Sequence, residues 1–182
     1  MPEPVMVALL ARFRVALGWV VAPLVFVAAD PTPVSIASGL AIALGGEALR
    51  FWAAGHLYKA REITSSGPYR WLAHPLYVGS SVVGAGVAVA SANLIATALI
   101  AVYLFVTLRA AIRNEEAYLR RAFGDQYDLY RRRGPLRRSR RFSLAQTIEN
   151  REHRAVIGLI LAMLLLASKA TYNGWFWGAG SR

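Results

Sequence analysis

"PLYVGSSVVGAGVAVASANLIATALIAVYLFVTL", residues 75–108, holds thirty-four residues without a single charge. A surface helix of a water-soluble domain sets an apolar stripe against a charged face. This run has no such face, and it is too long to be one buried helix. The polar "SAN" at 91–93 divides it. At about 1.5 Å rise per residue each arm covers roughly 25 Å, slightly less than a bilayer core of about 30 Å. The run therefore predicts a helical hairpin within a membrane, its second arm continuing past Arg109. Ser80, Gly84 and Ala88 recur at helical spacing on the first arm, where small side chains let a neighbouring backbone approach closely.

The rest of the chain repeats the pattern. Of its 182 residues 56% are hydrophobic, yet the formal charge is +11. No charge falls between Val15 and Ala29 or between Ala155 and Ser168. A basic soluble protein that binds nucleic acid spreads its charge over a surface; here the charge is blocked between apolar runs. The prolines of "DPTP" at 30–33 end a first span and precede a second that carries Glu47 and Arg50, paired at i,i+3. Ionisable groups inside a span face protein or a water-filled cavity. Five spans are expected, at about 15–29, 34–54, 76–91, 93–112 and 155–171, in one domain over 1–182. With the N-terminus inside, 19 of the 21 lysines and arginines fall on the cytoplasmic side, all but Lys169 and Arg182. The loop 55–75 and the segment 113–154 are then cytoplasmic, and the C-terminus lies on the opposite face. Tyr172, Trp175, Phe176 and Trp177 read as an aromatic belt at headgroup level. The arginines of 131–141 suit anionic headgroups. Arg12 and Arg14 followed by an apolar run also resemble a signal peptide, but the topology needs that run as a helix.

Two strings on the cytoplasmic side exceed what connection requires. "SSGPYRWLAHPLY" at 65–77 packs three aromatics and a histidine around two prolines. "RNEEAYLRRAFGDQYDLYRRR" at 113–133 places Leu119, Phe123 and Tyr127 at i, i+4 and i+8, with Gly124 and Asp125 as a helix stop and a new N-cap. Glu115 and Glu116 at the emerging end of the fourth span, opposite His74, Tyr69 and Tyr77, suit a polar pocket at the membrane surface. There is no cysteine, and His56, His74 and His153 lack metal-ligand spacing. Nucleotide-binding and nucleophile-elbow motifs are absent.

Together the strings resemble the isoprenylcysteine carboxyl methyltransferase family, whose wider group includes phospholipid methyltransferases. Gly67, Tyr69, His74, Pro75, Tyr77 and Gly79 match its G-x-Y-x-x-x-R-H-P-x-Y-x-G pattern. Glu115, Glu116, Leu119, Phe123, Gly124, Tyr127 and Tyr130 match its E-E-x-x-L-x-x-x-F-G-x-x-Y-x-x-Y pattern. The resemblance covers residues 60–135. It implies an all-α, multi-pass membrane methyltransferase that binds S-adenosylmethionine in a cytoplasmic pocket and takes a lipid-like or small apolar acceptor from the bilayer. It implies cofactor contacts at Gly67, Tyr69, Arg70, His74, Pro75, Tyr77 and Glu116 and catalytic roles at Glu115, Glu116 and Arg113. Membrane lipids are the expected surroundings; neither nucleic acid nor a metal is expected.

Two departures bear on the acceptor. The pattern's arginine before His-Pro is Ala73 here, and that of R-x-x-x-E-E is Ala111. A methyl group cannot hold a carboxylate, so a prenylcysteine acid would need Arg70, Arg109 or Arg113 instead. A sterol-reductase-type membrane enzyme using NADPH shares a similar R-H-P-x-Y loop, and a non-enzymatic anchor binding anionic lipid would account for the arginine cluster.

Overall fold

Each break in the apolar sequence is a helix cap. The computed structural model describes residues 5–59, 62–132 and 140–174, and every regular element among them is helical. Helix α1 (Val5–Ala28) ends before the "DPTP" turn. Thr32 then caps α2 (Pro33–Ala54): its hydroxyl accepts from Ser35 N at 3.0 Å while Ser35 Oγ accepts from Thr32 N at 2.9 Å. At "SAN", Ala92 takes the left-handed conformation (φ 47°) that ends α3 (Pro75–Ser91). Asn93 Oδ1 accepts from Ile95 N and Ala96 N, starting α4 (Leu94–Phe123). Two short helices, α5 (Asp125–Arg131) and α6 (Leu144–Glu149), precede α7 (His153–Tyr172).

By length and apolar content α2, α4 and α7 suffice to cross a membrane, whereas Val15–Ala28 and α3 are shorter apolar helices. The α4 helix runs unbroken past Arg109 to Phe123, so Glu115 and Glu116 stand on an extension of the span. Of the expected aromatic belt, Tyr172 ends α7 and is exposed, while Trp175, Phe176 and Trp177, like residues 133–139 of the arginine cluster, lie outside the described residues.

Helices α2 and α3 meet backbone to backbone. A Cβ on Gly46 would stand 2.7 Å from the carbonyl oxygen of Gly79, and one on Gly86 would stand 2.5 Å from that of Gly39. Ala43 and Ala90 fill the seam between these glycines. The small-residue face used here is therefore Gly79, Gly86 and Ala90, one step round the helix from the expected Ser80–Gly84–Ala88 stripe. Gly84 instead receives Leu104 of α4. On the other side α7 covers the seam with Leu159, Met163 and Leu166, and α1 packs Val25 on Ala96 and Ile100 of α4. Lys169 of α7 donates to the carbonyls of Phe26 and Val27 in the last turn of α1, at 2.6 and 2.8 Å.

The charged pair inside α2 faces protein, where ionisable groups in a span normally sit, although among the described residues neither Glu47 carboxylate oxygen nor Arg50 Nε makes a hydrogen bond there. Arg50 Nε lies 3.4 Å from Glu47 Oε2, and Nη2 lies 2.5 Å from Glu152 Oε1 just before α7. Its Nη1 donates to Ser80 Oγ of α3. One guanidinium thus joins α2, α3 and α7 close to the end from which the 55–74 loop leaves.

Candidate functional site

The loop after α2 is held from below before it turns. Asn150 Nδ2 donates to the carbonyls of Ala54 and Leu57, both at 2.8 Å, and Ser143 N donates to Gly55 O at 3.0 Å. Gly67 adopts φ +58°, and the His56 ring occupies the space a side chain there would need, 2.6 Å from the ideal Cβ position. A single 3-10 turn (Gly67–Arg70) follows, with Pro68 at its first positions, and buries Tyr69. Pro75, fully buried, then starts α3. The two prolines bracket the loop and fix its φ angles.

Across from this loop stands the extension of α4 beyond Arg109. Ala111, Asn114, Glu115, Tyr118 and Leu119 fall at i, i+3, i+4, i+7 and i+8, one face of a helix, and all line a cleft of about 520 Å³. The opposite wall is Leu57–Lys59, Glu62–Thr64, Tyr69, Ala73 and Tyr77. Gly124 (φ +49°, ψ −124°) turns the chain so that α5 folds back over the 3-10 turn. Tyr130 of α5 lines the cleft, and its hydroxyl donates to Tyr69 O at 3.1 Å. Gly124 itself caps α5 and Asp125 is its first residue, so the N-cap expected at Asp125 falls one residue earlier.

The expected site residues divide into three groups. Tyr69, Tyr77 and Glu115 line the cleft. His74 and Glu116 form a joint beside it: His74 Nε2 lies 3.2 Å from Glu116 Oε1 and Nδ1 lies 3.9 Å from Glu115 Oε2, clamping the start of α3 to α4. Gly67 and Pro75 shape the loop without lining the cleft. Arg70 and Arg113 are exposed and outside the cleft walls, and Arg109 lies over the Phe105 ring at 5.6 Å. None of the three arginines thus lines the cleft beside Ala73.

Burial first, and the charge of Glu115 next, push the Tyr69 phenol above its ordinary range. It stays protonated. The wall at 58–62 is tied from outside by Arg140, whose Nε and Nη2 donate to Glu62 at 2.5 and 3.1 Å and whose guanidinium lies 4.2 Å from the centre of the Tyr58 ring. The hydrogen bond to Glu62 is the main cause raising the Arg140 pKa. Sequence reasoning missed Tyr58, Lys59, Glu62, Asn114, Tyr118 and Arg121. The helical stripe 111–114–115–118 was the available signal for two of them; the 57–64 wall carries no motif.

The phospholipid methyltransferase family profile matches residues 36–126, from within α2 to the start of α5. The protein-S-isoprenylcysteine O-methyltransferase of Schizosaccharomyces pombe (strain 972) is 30% identical over 95 residues, covering 52% of this chain and 40% of that protein. The chain therefore spans less than half the length of that curated relative. No solved structure matches the chain.

Proposed function

The chain belongs to the phospholipid methyltransferase family, and from that premise we propose that it is an S-adenosylmethionine-dependent membrane methyltransferase acting on a lipid-like or small apolar acceptor. The observation that carries this reading is the cleft between the 57–77 loop and α4, walled by Tyr58, Tyr69, Tyr77, Tyr118 and Tyr130 with Glu115 among them. The donor set suits the cofactor: aromatic faces accept both a flat base and a cation, and a carboxylate favours a sulfonium. When bound, the cofactor supplies a methyl group already activated on its sulfonium.

The protein's part is then alignment and exclusion of water rather than acid–base chemistry. Glu115 draws the cationic end toward α4. Tyr69, neutral and buried, gives a rigid wall, and Tyr130 closes the site from α5. The His74–Glu116 joint holds the loop against α4, so the cleft keeps its width.

In this reading the chain crosses the membrane five times, N-terminus inside, and the cleft faces the cytoplasm. Ala73 lines the cleft where the family pattern has arginine, so the acceptor's nucleophile is a neutral amine, thiol or hydroxyl. A carboxylate drawn from a bilayer would need a cation at that place. The family match favours methyl transfer over the reductase and anchor readings. Calorimetric titration of the purified protein with S-adenosylhomocysteine and with NADPH is the test. Binding of the first and not the second is expected; the reverse would overturn the proposal. Methyl transfer to farnesylcysteine as fast as to neutral acceptors would overturn the assignment of the nucleophile.

A further inference from the structure

The cleft's charges do not balance locally. Four charged side chains line it: Lys59, Glu62, Glu115 and Arg121. Both carboxylates have neighbours outside the lining: Glu62 is paired with Arg140, and Glu115 lies 3.9 Å from His74 Nδ1. Among the described residues neither Lys59 nor Arg121 has a carboxylate partner; Arg121 Nε donates only to its own helix, at Ala117 O, 3.2 Å. One stands on the loop wall and the other on α4, so they face the space from two elements. Both are exposed, and their long stems are free to swing.

We infer that Lys59 and Arg121 form an anion-binding pair at this cleft, taking a carboxylate or phosphate of a ligand. The inference rests on the cofactor reading for the cleft's occupant. Two sources share this chemistry: the cofactor's own carboxylate, and the phosphate of a lipid acceptor. Either gains charge-assisted hydrogen bonds from a guanidinium and an ammonium.

The test compares the full chain with its Lys59→Gln/Arg121→Gln form in neutral detergent, by calorimetry with three probes: S-adenosylhomocysteine, its decarboxylated analogue and dodecyl phosphate. The double variant is expected to bind at least one anionic probe about tenfold more weakly, while the decarboxylated analogue changes less than twofold. Loss on S-adenosylhomocysteine assigns the pair to the cofactor's carboxylate. Loss on dodecyl phosphate alone assigns it to the acceptor. Unchanged affinity for both overturns the inference, as does an equal loss on the decarboxylated analogue. If the wild-type chain ignores S-adenosylhomocysteine yet binds dodecyl phosphate through these residues, the cofactor reading falls and the anion pair stands. If it binds none of the three, both fall.

Discussion

His74 and Glu116 are forty-two positions apart in sequence and 3.2 Å apart in space, so each is worth little without the other. A part-buried, charge-assisted hydrogen bond contributes about 1.5–3 kcal/mol, and deleting either partner strands the second. Alanine substitutions at 74 and 116 should each lower thermal stability and weaken S-adenosylhomocysteine binding. The double variant should lose little more than either single one, with a coupling of about 1.5–3 kcal/mol. Strictly additive losses would show that the pair does not act as a joint. Gly124 offers a second residue-scale test. Its φ and ψ suit only glycine, although nothing lies within 4 Å of the place a Cβ would occupy. Gly124→Ala should therefore cost about 1–3 kcal/mol through backbone strain alone. A melting temperature unchanged from wild type would count against this. Single residues were legible in the sequence where a motif named them, as with His74, Glu116 and Gly124. Lys59 and Arg121 were not, because their meaning lies in carboxylates they do not meet.

Among the elements, α2 and α3 are the most intimate pair, and their seam distinguishes two adjacent glycines. Gly46 lies against the Gly79 backbone, while Gly45 has nothing within 4 Å. Gly45→Ala should be neutral or slightly stabilising, since alanine favours a helix by about 1 kcal/mol over glycine. Gly46→Ala should destabilise by about 1–3 kcal/mol, because the seam must open to admit a methyl group. Melting curves of the two variants check this, and equal shifts would sink the seam. The caps at "DPTP" and "SAN" were readable because Thr32 and Asn93 act on backbone groups two or three residues away. The packing face of α3 was not. Gly79, Gly84, Gly86 and Ala88 are all small, and composition alone cannot choose between two faces of one helix. The partner decides it, and the partner is fixed by Gly39, Ala43 and Gly46 on another helix.

For the molecule as a whole, membrane insertion was plain from charge placement, because a run of thirty-four uncharged residues has no other solvent. The cleft was legible by half. Its α4 wall follows a helical stripe, whereas its other wall depends on Asn150 and Arg140 reaching back across about ninety residues to hold the chain after α2. The five-span topology predicts that reporter fusions after residue 145 and after residue 182 give opposite signals. Like signals would remove the last crossing. The basic segment that precedes α7 should also bind anionic liposomes. Neutral substitutions at Arg140 and Arg141 that leave the topology intact should weaken that binding, and no change would limit these residues to bracing the cleft wall.

Lys169 gives the bundle a direction in time. The two carbonyls it satisfies belong to α1, whereas the lysine belongs to α7, synthesised about 140 residues later. Through most of synthesis that end of α1 must rely on water, headgroups or the insertion machinery, since hydrocarbon offers no donors. When residue 169 arrives, a cation that is costly alone in lipid and two carbonyls that are costly alone cancel one another. A nascent chain halted short of that residue leaves both α1 carbonyls without this donor.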